Sequence, residues 1–116
     1  MRRLSKAFFY SLAGLGDAWR EPACRLEIYV MAIAIPLALW LPLGVTEKLL
    51  LICSVVSIFI VEILNTSVEA AIDRIGGERH ELSRVAKDLG SAAVFVASLM
   101  AGAVWATLAA PLLLVR

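Results

Sequence analysis

The chain has 116 residues, of which 61% are hydrophobic and 18% charged, and its formal net charge is +1. A mean hydropathy of +0.87 excludes an ordinary soluble domain and fits an integral membrane protein. The length leaves no room for a second, soluble domain, so residues 1–116 read as one all-α membrane domain.

Residues 3–20 read as an amphipathic helix. Leu4, Phe8, Leu12, Leu15 and Trp19 form an apolar stripe, with Arg3, Lys6, Tyr10 and Asp17 on another face. Basic groups opposite aromatics suit a helix lying on a membrane surface. Its plainer role is anchoring. A sharper one is a lid over a cytoplasmic site, with Arg3 and Tyr10 facing a ligand. Glu21-Pro22 breaks this helix, and Arg25 and Glu27 precede the first span. That span begins after residue 27 without a small-residue cleavage pattern, so no removed signal peptide is expected.

Three segments qualify as spans: 28–45, 49–64 and 89–115. About 20 apolar residues suffice to cross a bilayer. Pro36 and Pro42 are expected to bend or end the first span. The second should continue as a helix over 49–72, until Gly76-Gly77 ends it in a cap or turn. Residues 78–88 read as a charged connection before the third span. That span carries small residues at four-residue spacing, in one row Ala93, Ala97 and Ala101 and in another Ser98, Gly102, Ala106 and Ala110. Such rows let helices pack closely in lipid and favour self-assembly.

Glu62 stands inside the second span, after an uncharged run from 49 to 61. A carboxylate in a span costs roughly 2.5–3.5 kcal/mol on insertion scales, which marks Glu62 as a functional candidate. Asn65, Glu69 and Asp73 follow at i+3, i+7 and i+11, so the four share one helix face. A polar seam therefore runs from the bilayer toward water.

Charge distribution sets the topology. Arg2, Arg3, Lys6, Arg20 and Arg25 precede the first span, and Arg74, Arg79, Arg84 and Lys87 lie between the second and third. Lys48 and Arg116 fall on the other side. The positive-inside rule puts the N-terminus and the 73–88 loop in the cytoplasm, on the side where ATP is found.

Soluble nucleotide signatures are missing: there is no GxxxxGK[ST], and Gly14-Leu15-Gly16 does not follow a strand. HExxH and Ser-His-Asp patterns are absent too. Cys24 and Cys53 have neither CxxC nor zinc spacing and read as free thiols. What remains is a set of charged groups at helix ends: Glu62, Glu69 and Asp73; Glu21 and Glu27; Lys87 and Asp88; Glu78, His80 and Glu81. One or two carboxylates plus phosphate oxygens are how Mg²⁺ is held in phosphoryl-transfer sites. A lysine can neutralise charge on the transferring group, and a carboxylate at headgroup depth can take a proton from a hydroxyl. Each member also has a plainer reading. Glu62 could hydrogen-bond across an oligomer, Glu69 and Asp73 could be solvated, Lys87-Asp88 could cap the third helix, and His80 could be a loop contact.

Residues 61–94, VEILNTSVEAAIDRIGGERHELSRVAKDLGSAAV, resemble the small bacterial membrane diacylglycerol kinases. The pattern is E-x-x-N-(x)3-E-x-x-x-D, then E-x-H-E-L-(x)4-K-D-x-G-S-A-A-V. Arg3, Lys6, Tyr10, Gly14, Trp19 and Arg25-x-Glu27 extend the likeness to nearly the whole chain. The resemblance implies a surface helix plus three spans, assembled as a homotrimer in the bacterial inner membrane. It implies transfer of the ATP γ-phosphoryl to diacylglycerol, giving phosphatidic acid, with Mg²⁺ as cofactor and no nucleic-acid partner. By position in the motif, Glu62 matches the catalytic carboxylate acting on the lipid hydroxyl. Glu69 matches a metal ligand, with Glu21 as its partner and Glu27 as the rival for that role. Arg3, Tyr10, Glu21, Glu69, Glu78, His80, Lys87 and Asp88 match nucleotide-contacting positions. Ser91 and Trp19 match positions lining the lipid site, and Asn65 matches a site residue, with Asp73 in a supporting place. Two alternatives stand beside this reading: the related undecaprenol kinases, which share E-x-x-N-T-(x)2-E, and a non-enzymatic proton-relay or channel-like oligomer.

Overall fold

The computed structural model describes residues 2–76 and 80–114. It consists of helices α1 (Arg2–Arg20), α2 (Pro22–Trp40), α3 (Val45–Ile75), α4 (Glu81–Leu108) and the short α5 (Ala110–Leu114). Three of them, α2, α3 and α4, are long and apolar enough to cross a membrane, and the chain is a multi-pass membrane protein.

The helix ends follow from local chemistry. Pro22 occupies the first turn of α2, where its missing N–H costs nothing. It also holds Glu21 in an extended conformation, φ −88° and ψ 125°, and so separates α2 from α1. Glu21 occupies the cap position without a side-chain capping bond, so its carboxylate is left for other partners. Pro36 is accommodated inside α2. Pro42 does end it: Leu41, just before the proline, is extended at ψ 144°. Lys48 donates from Nζ to the Leu39 carbonyl at 2.7 Å, placing a cation on the last turn of α2.

Two helices start well before their apolar runs. α2 starts at Pro22 and takes in Arg25 and Glu27. α4 starts at Glu81, so the charged stretch 81–88 is helix rather than connection. His80 caps α4, its Nδ1 accepting the Leu82 N–H at 3.0 Å. α3 stops at Ile75, with Gly76 extended at φ 168°. Its 31 residues span about 46 Å at 1.5 Å per residue, against about 30 Å of hydrocarbon. One end of α3 must therefore leave the bilayer, and the polar 65–75 stretch is the end suited to it.

α3 is the central element, packed against both α4 and α2, while α1 rests on the start of α2. Away from the polar end, Ala38, Leu41, Leu51 and Ala109 form a fully buried cluster. Trp105 Nε1 donates there to the Leu51 carbonyl at 3.2 Å and to Ser54 Oγ at 3.1 Å, joining α4 to α3 through a polar contact. Nearer the polar end, Ile58 of α3 packs on Ala97 and Ala101 of α4. Part of the first small-residue row is thus used inside the chain, while Ser98, Gly102 and Ala106 of the second are exposed. Many large apolar side chains face outward, among them Ile33, Leu39, Ile60, Leu64, Phe95 and Val96. That is the pattern of a protein whose solvent is lipid.

Trp105→Phe keeps the ring but loses both hydrogen bonds from Nε1. Interhelical bonds of this kind in membranes average about 0.6 kcal/mol, so a loss of roughly 0.6–1 kcal/mol is expected. Unfolding by denaturing detergent measures it, and a loss well above 1 kcal/mol would show that the indole does more than make these two bonds.

Candidate functional site

The seam read from the sequence is a face of α3 turned toward its neighbours. Glu62 is 8% exposed and Asn65 is 9% exposed, whereas Glu69 and Asp73 are exposed. Polarity and hydration thus increase together along the helix. Asn65 Nδ2 donates to Glu69 Oε1 at 2.9 Å, one turn on. A carboxylate oxygen only accepts, so the amide nitrogen must be the atom facing it, and Asn65 Oδ1 must point the other way. That oxygen is buried and has no hydrogen-bond partner among the described residues. It points at Gly90 of α4, and a Cβ built on Gly90 would collide with it.

Glu27 on α2 is half-buried and lies within range of the Glu62 charge. Acidic residues from two different helices, α2 and α3, are thus both carried within the apolar spans.

At the wet end, Lys87 Nζ of α4 donates to Asp73 Oδ1 of α3 at 2.9 Å and ties the two helices together. Asp88 is paired with Arg84 at 2.7 Å, and the same guanidinium also meets Glu81. These ion pairs are exposed, so they orient side chains more than they stabilise the fold. Sequence reasoning gave Arg84 only a role in topology; its i, i+3 and i, i+4 spacing to Glu81 and Asp88 was the available signal.

Glu21 lies on a different face. A cavity of about 460 Å³ opens between α1, the start of α2 and α3, lined by Glu21, Asp17, Arg20, Cys24, Thr66 and Ser67 among others. Its α3 residues are turned about a third of a turn from Glu62, Asn65 and Glu69. Cys24 is fully buried beside it, its Sγ 3.5 Å from Thr66 Oγ1. Nothing in the residue pattern signals this thiol–hydroxyl contact, because Cys24 and Thr66 are 42 residues apart. Trp19 sits at the mouth of the α1–α2 junction, edge-on to Tyr29 at 5.7 Å and under the Arg25 guanidinium at 5.8 Å. Ser91 follows Gly90 on α4 and is exposed, beside the seam rather than within it.

Of the remaining sequence candidates, Arg3 and Tyr10 lie on exposed turns of α1 and make no side-chain hydrogen bond or ion pair among the described residues. His80 is used as the α4 cap. Glu78 lies outside the described residues. No group of three or more His, Cys, Asp or Glu that could cage a metal occurs among the described residues. Mg²⁺ does not need such a cage when substrate phosphates complete its shell. Exposed Glu69, with one oxygen fixed by Asn65 and the other without a hydrogen-bond partner among the described residues, could serve as a donor of that kind.

Comparison with known proteins gives the family. Residues 9–109 match the family model for prokaryotic diacylglycerol kinase. The chain is 48% identical to the diacylglycerol kinase of Escherichia coli strain K12 over 107 residues, covering 91% of this chain and 88% of that one. It is 48% identical to the Haemophilus influenzae diacylglycerol kinase over 97 residues, covering 83% and 82% of the two chains. With the Pseudomonas aeruginosa diacylglycerol kinase it shares 42% over 109 residues, covering 93% and 89%.

The Asp73–Lys87 pair gives a direct test of the wet end. Asp73→Asn should change stability by less than about 1 kcal/mol, and by less still at high salt. Thermal unfolding in detergent at two salt concentrations measures this. A larger loss would show that the pair is shielded from water, against the exposure described above.

Proposed function

We propose, since the chain belongs to the prokaryotic diacylglycerol kinase family, that it phosphorylates diacylglycerol to phosphatidic acid with ATP as donor. The observation that carries the mechanism is the graded seam on α3: a buried carboxylate at lipid depth, then an amide, then an exposed carboxylate at the water side. Lipid and nucleotide differ in where they can be, and this seam runs from one region to the other.

In this reading the diacylglycerol hydroxyl enters laterally from the bilayer beside Trp19 and Ser91 and meets Glu62. Glu62 takes the hydroxyl proton as the oxygen bonds to the γ-phosphorus and the bond to the β-phosphate oxygen breaks. ADP leaves with the electron pair of that bond, and Glu62 later returns its proton to water. Lys87, with Arg3 from the surface helix, neutralises charge on the phosphate oxygens. Tyr10, Glu78, His80 and Asp88 complete the nucleotide contacts. Mg²⁺ bound with ATP would supply further neutralisation on the β- and γ-phosphates, and Glu69 with Glu21 would hold it. Glu27 is the weaker candidate for that second ligand, because the charge beside it is Glu62 at membrane depth. Asn65 orients Glu69, and Asp73 holds Lys87 in place until nucleotide arrives. Positioning does most of the work, since phosphoryl transfer asks little covalent chemistry of the protein.

The assembly is a homotrimer in the inner membrane, with the N-terminus and the 73–88 segment cytoplasmic and α1 lying on the membrane surface. The basic residues near the polar ends of α3 and α4 support that orientation. The exposed apolar stripe of α1 supports its surface placement. The separation of Glu21 from the Glu69 face around α3 supports an oligomer, because a neighbouring chain can bring a second Glu21 to that face.

Glu62→Gln keeps the shape and removes the proton acceptor. Turnover should fall by roughly 10²–10⁴-fold, while nucleotide binding and assembly stay as in the parent. Steady-state phosphorylation in mixed micelles, with size analysis of the same samples, measures both. Undiminished turnover would end the assignment of Glu62 as base.

A further inference from the structure

We propose that Gly90 is a positioning residue for phosphoryl transfer: by lacking a side chain it leaves the space in which the Asn65 amide stands, and so fixes the Glu69 carboxylate. This rests on the reading of Glu69 as a nucleotide-side group, which the test below keeps separate.

Glycine in the interior of a helix costs about 1 kcal/mol against alanine in water, and Gly90 stands at the charged, water-side start of α4. The reason for a glycine there is local. A Cβ on Gly90 would overlap Asn65 Oδ1 and come within 3.1 Å of Asn65 Cγ. The same Cβ would be 3.8 Å from Asn65 Cβ, an ordinary contact. The conflict is therefore with the amide group alone, not with the backbone of α3. The other glycines within the described helices, Gly14, Gly16 and Gly102, have open space where a Cβ would stand.

Asn65 cannot easily turn its amide elsewhere. Its nitrogen is committed to Glu69 Oε1, and exchanging the two ends would set an amide oxygen against a carboxylate oxygen. Its oxygen has no N–H or O–H partner among the described residues, although it is buried. A lone buried acceptor is normally costly. Here its close neighbour is the Gly90 backbone, whose Cα–H groups are weak donors. The arrangement is a chain of three: α4 backbone, Asn65 amide, Glu69 carboxylate. Any side chain at 90 pushes the amide off this line and releases Glu69.

The test is a double-mutant cycle of Gly90→Ala and Asn65→Ala, reading turnover, the Mg²⁺ concentration for half-maximal activity, and the thermal midpoint in detergent. Asn65→Ala should lower turnover roughly ten- to a hundredfold, the loss expected when a hydrogen bond to a charged group is removed. Gly90→Ala should give a similar fall and the same rise in the Mg²⁺ requirement. The double variant should be no worse than Asn65→Ala alone, because the struck atoms are gone, and it should recover the thermal midpoint that Gly90→Ala loses. If Gly90→Ala does not fold, the double variant should fold and match Asn65→Ala. Multiplying losses in the double variant would overturn the proposal. So would a Gly90→Ala that loses thermal stability while its turnover and Mg²⁺ requirement stay at parent values. Glu69→Gln run alongside separates the two claims. If it leaves the Mg²⁺ requirement unchanged, the metal reading of Glu69 fails, and the coupling in turnover and midpoint still decides the role of Gly90.

Discussion

A carboxylate at membrane depth is tolerated only when protein surrounds it, and the placement of Glu62 organises the rest of this chain. α3 has to be central so that Glu62 and Asn65 are covered, by α2 on one side and α4 on the other. It has to be long, so that the same face continues through Glu69 and Asp73 into water. The helix is thus graded in polarity, and in the proposed reading its dry, acidic part receives the lipid hydroxyl and its wet, ion-paired part the nucleotide. A soluble kinase brings both substrates to one aqueous cleft. A membrane kinase has to bring together groups that prefer different media, and a single amphipathic face is an economical way to do so.

The flanking helices contribute differently. α4 makes the close approach, through Gly90 at the amide of Asn65 and through Ala97 and Ala101 at Ile58. Small residues replace the hydrophobic effect as the means of association, because lipid is as apolar as the side chains it would displace. α2 contributes a second acid, Glu27, next to Glu62. At the far end the Trp105, Ser54 and Leu51 contact fastens α4 to α3 away from the Glu62–Asp73 seam. In the proposed reading, this fastening and the chemistry lie at opposite ends of the same helix pair.

The seam was legible because helical periodicity alone places 62, 65, 69 and 73 on one face. The break at Glu21-Pro22 and the stop before Gly76 were legible because proline and glycine act locally. The helix starts at Pro22 and Glu81 were not. Hydropathy marks where a segment meets lipid, whereas helix geometry continues through Arg25, Glu27 and the 81–88 stretch as long as backbone bonds can be made. The Gly90–Asn65 contact and the Asp73–Lys87 pair were also hidden, since they depend on the axial register between α3 and α4. One sequence does not state that register. Arg3 and Tyr10 remain apart from the seam in a single chain. The family resemblance, not periodicity, put them at a nucleotide.

The central claim is that this graded face brings diacylglycerol and ATP together. The most direct measurement is transfer of labelled γ-phosphate from Mg-ATP in mixed micelles holding diacylglycerol and undecaprenol side by side. The account predicts label in phosphatidic acid. Label in undecaprenyl phosphate alone would contradict the assigned substrate while leaving the seam catalytic. Label in neither lipid, from well-folded protein, would contradict the account as a whole.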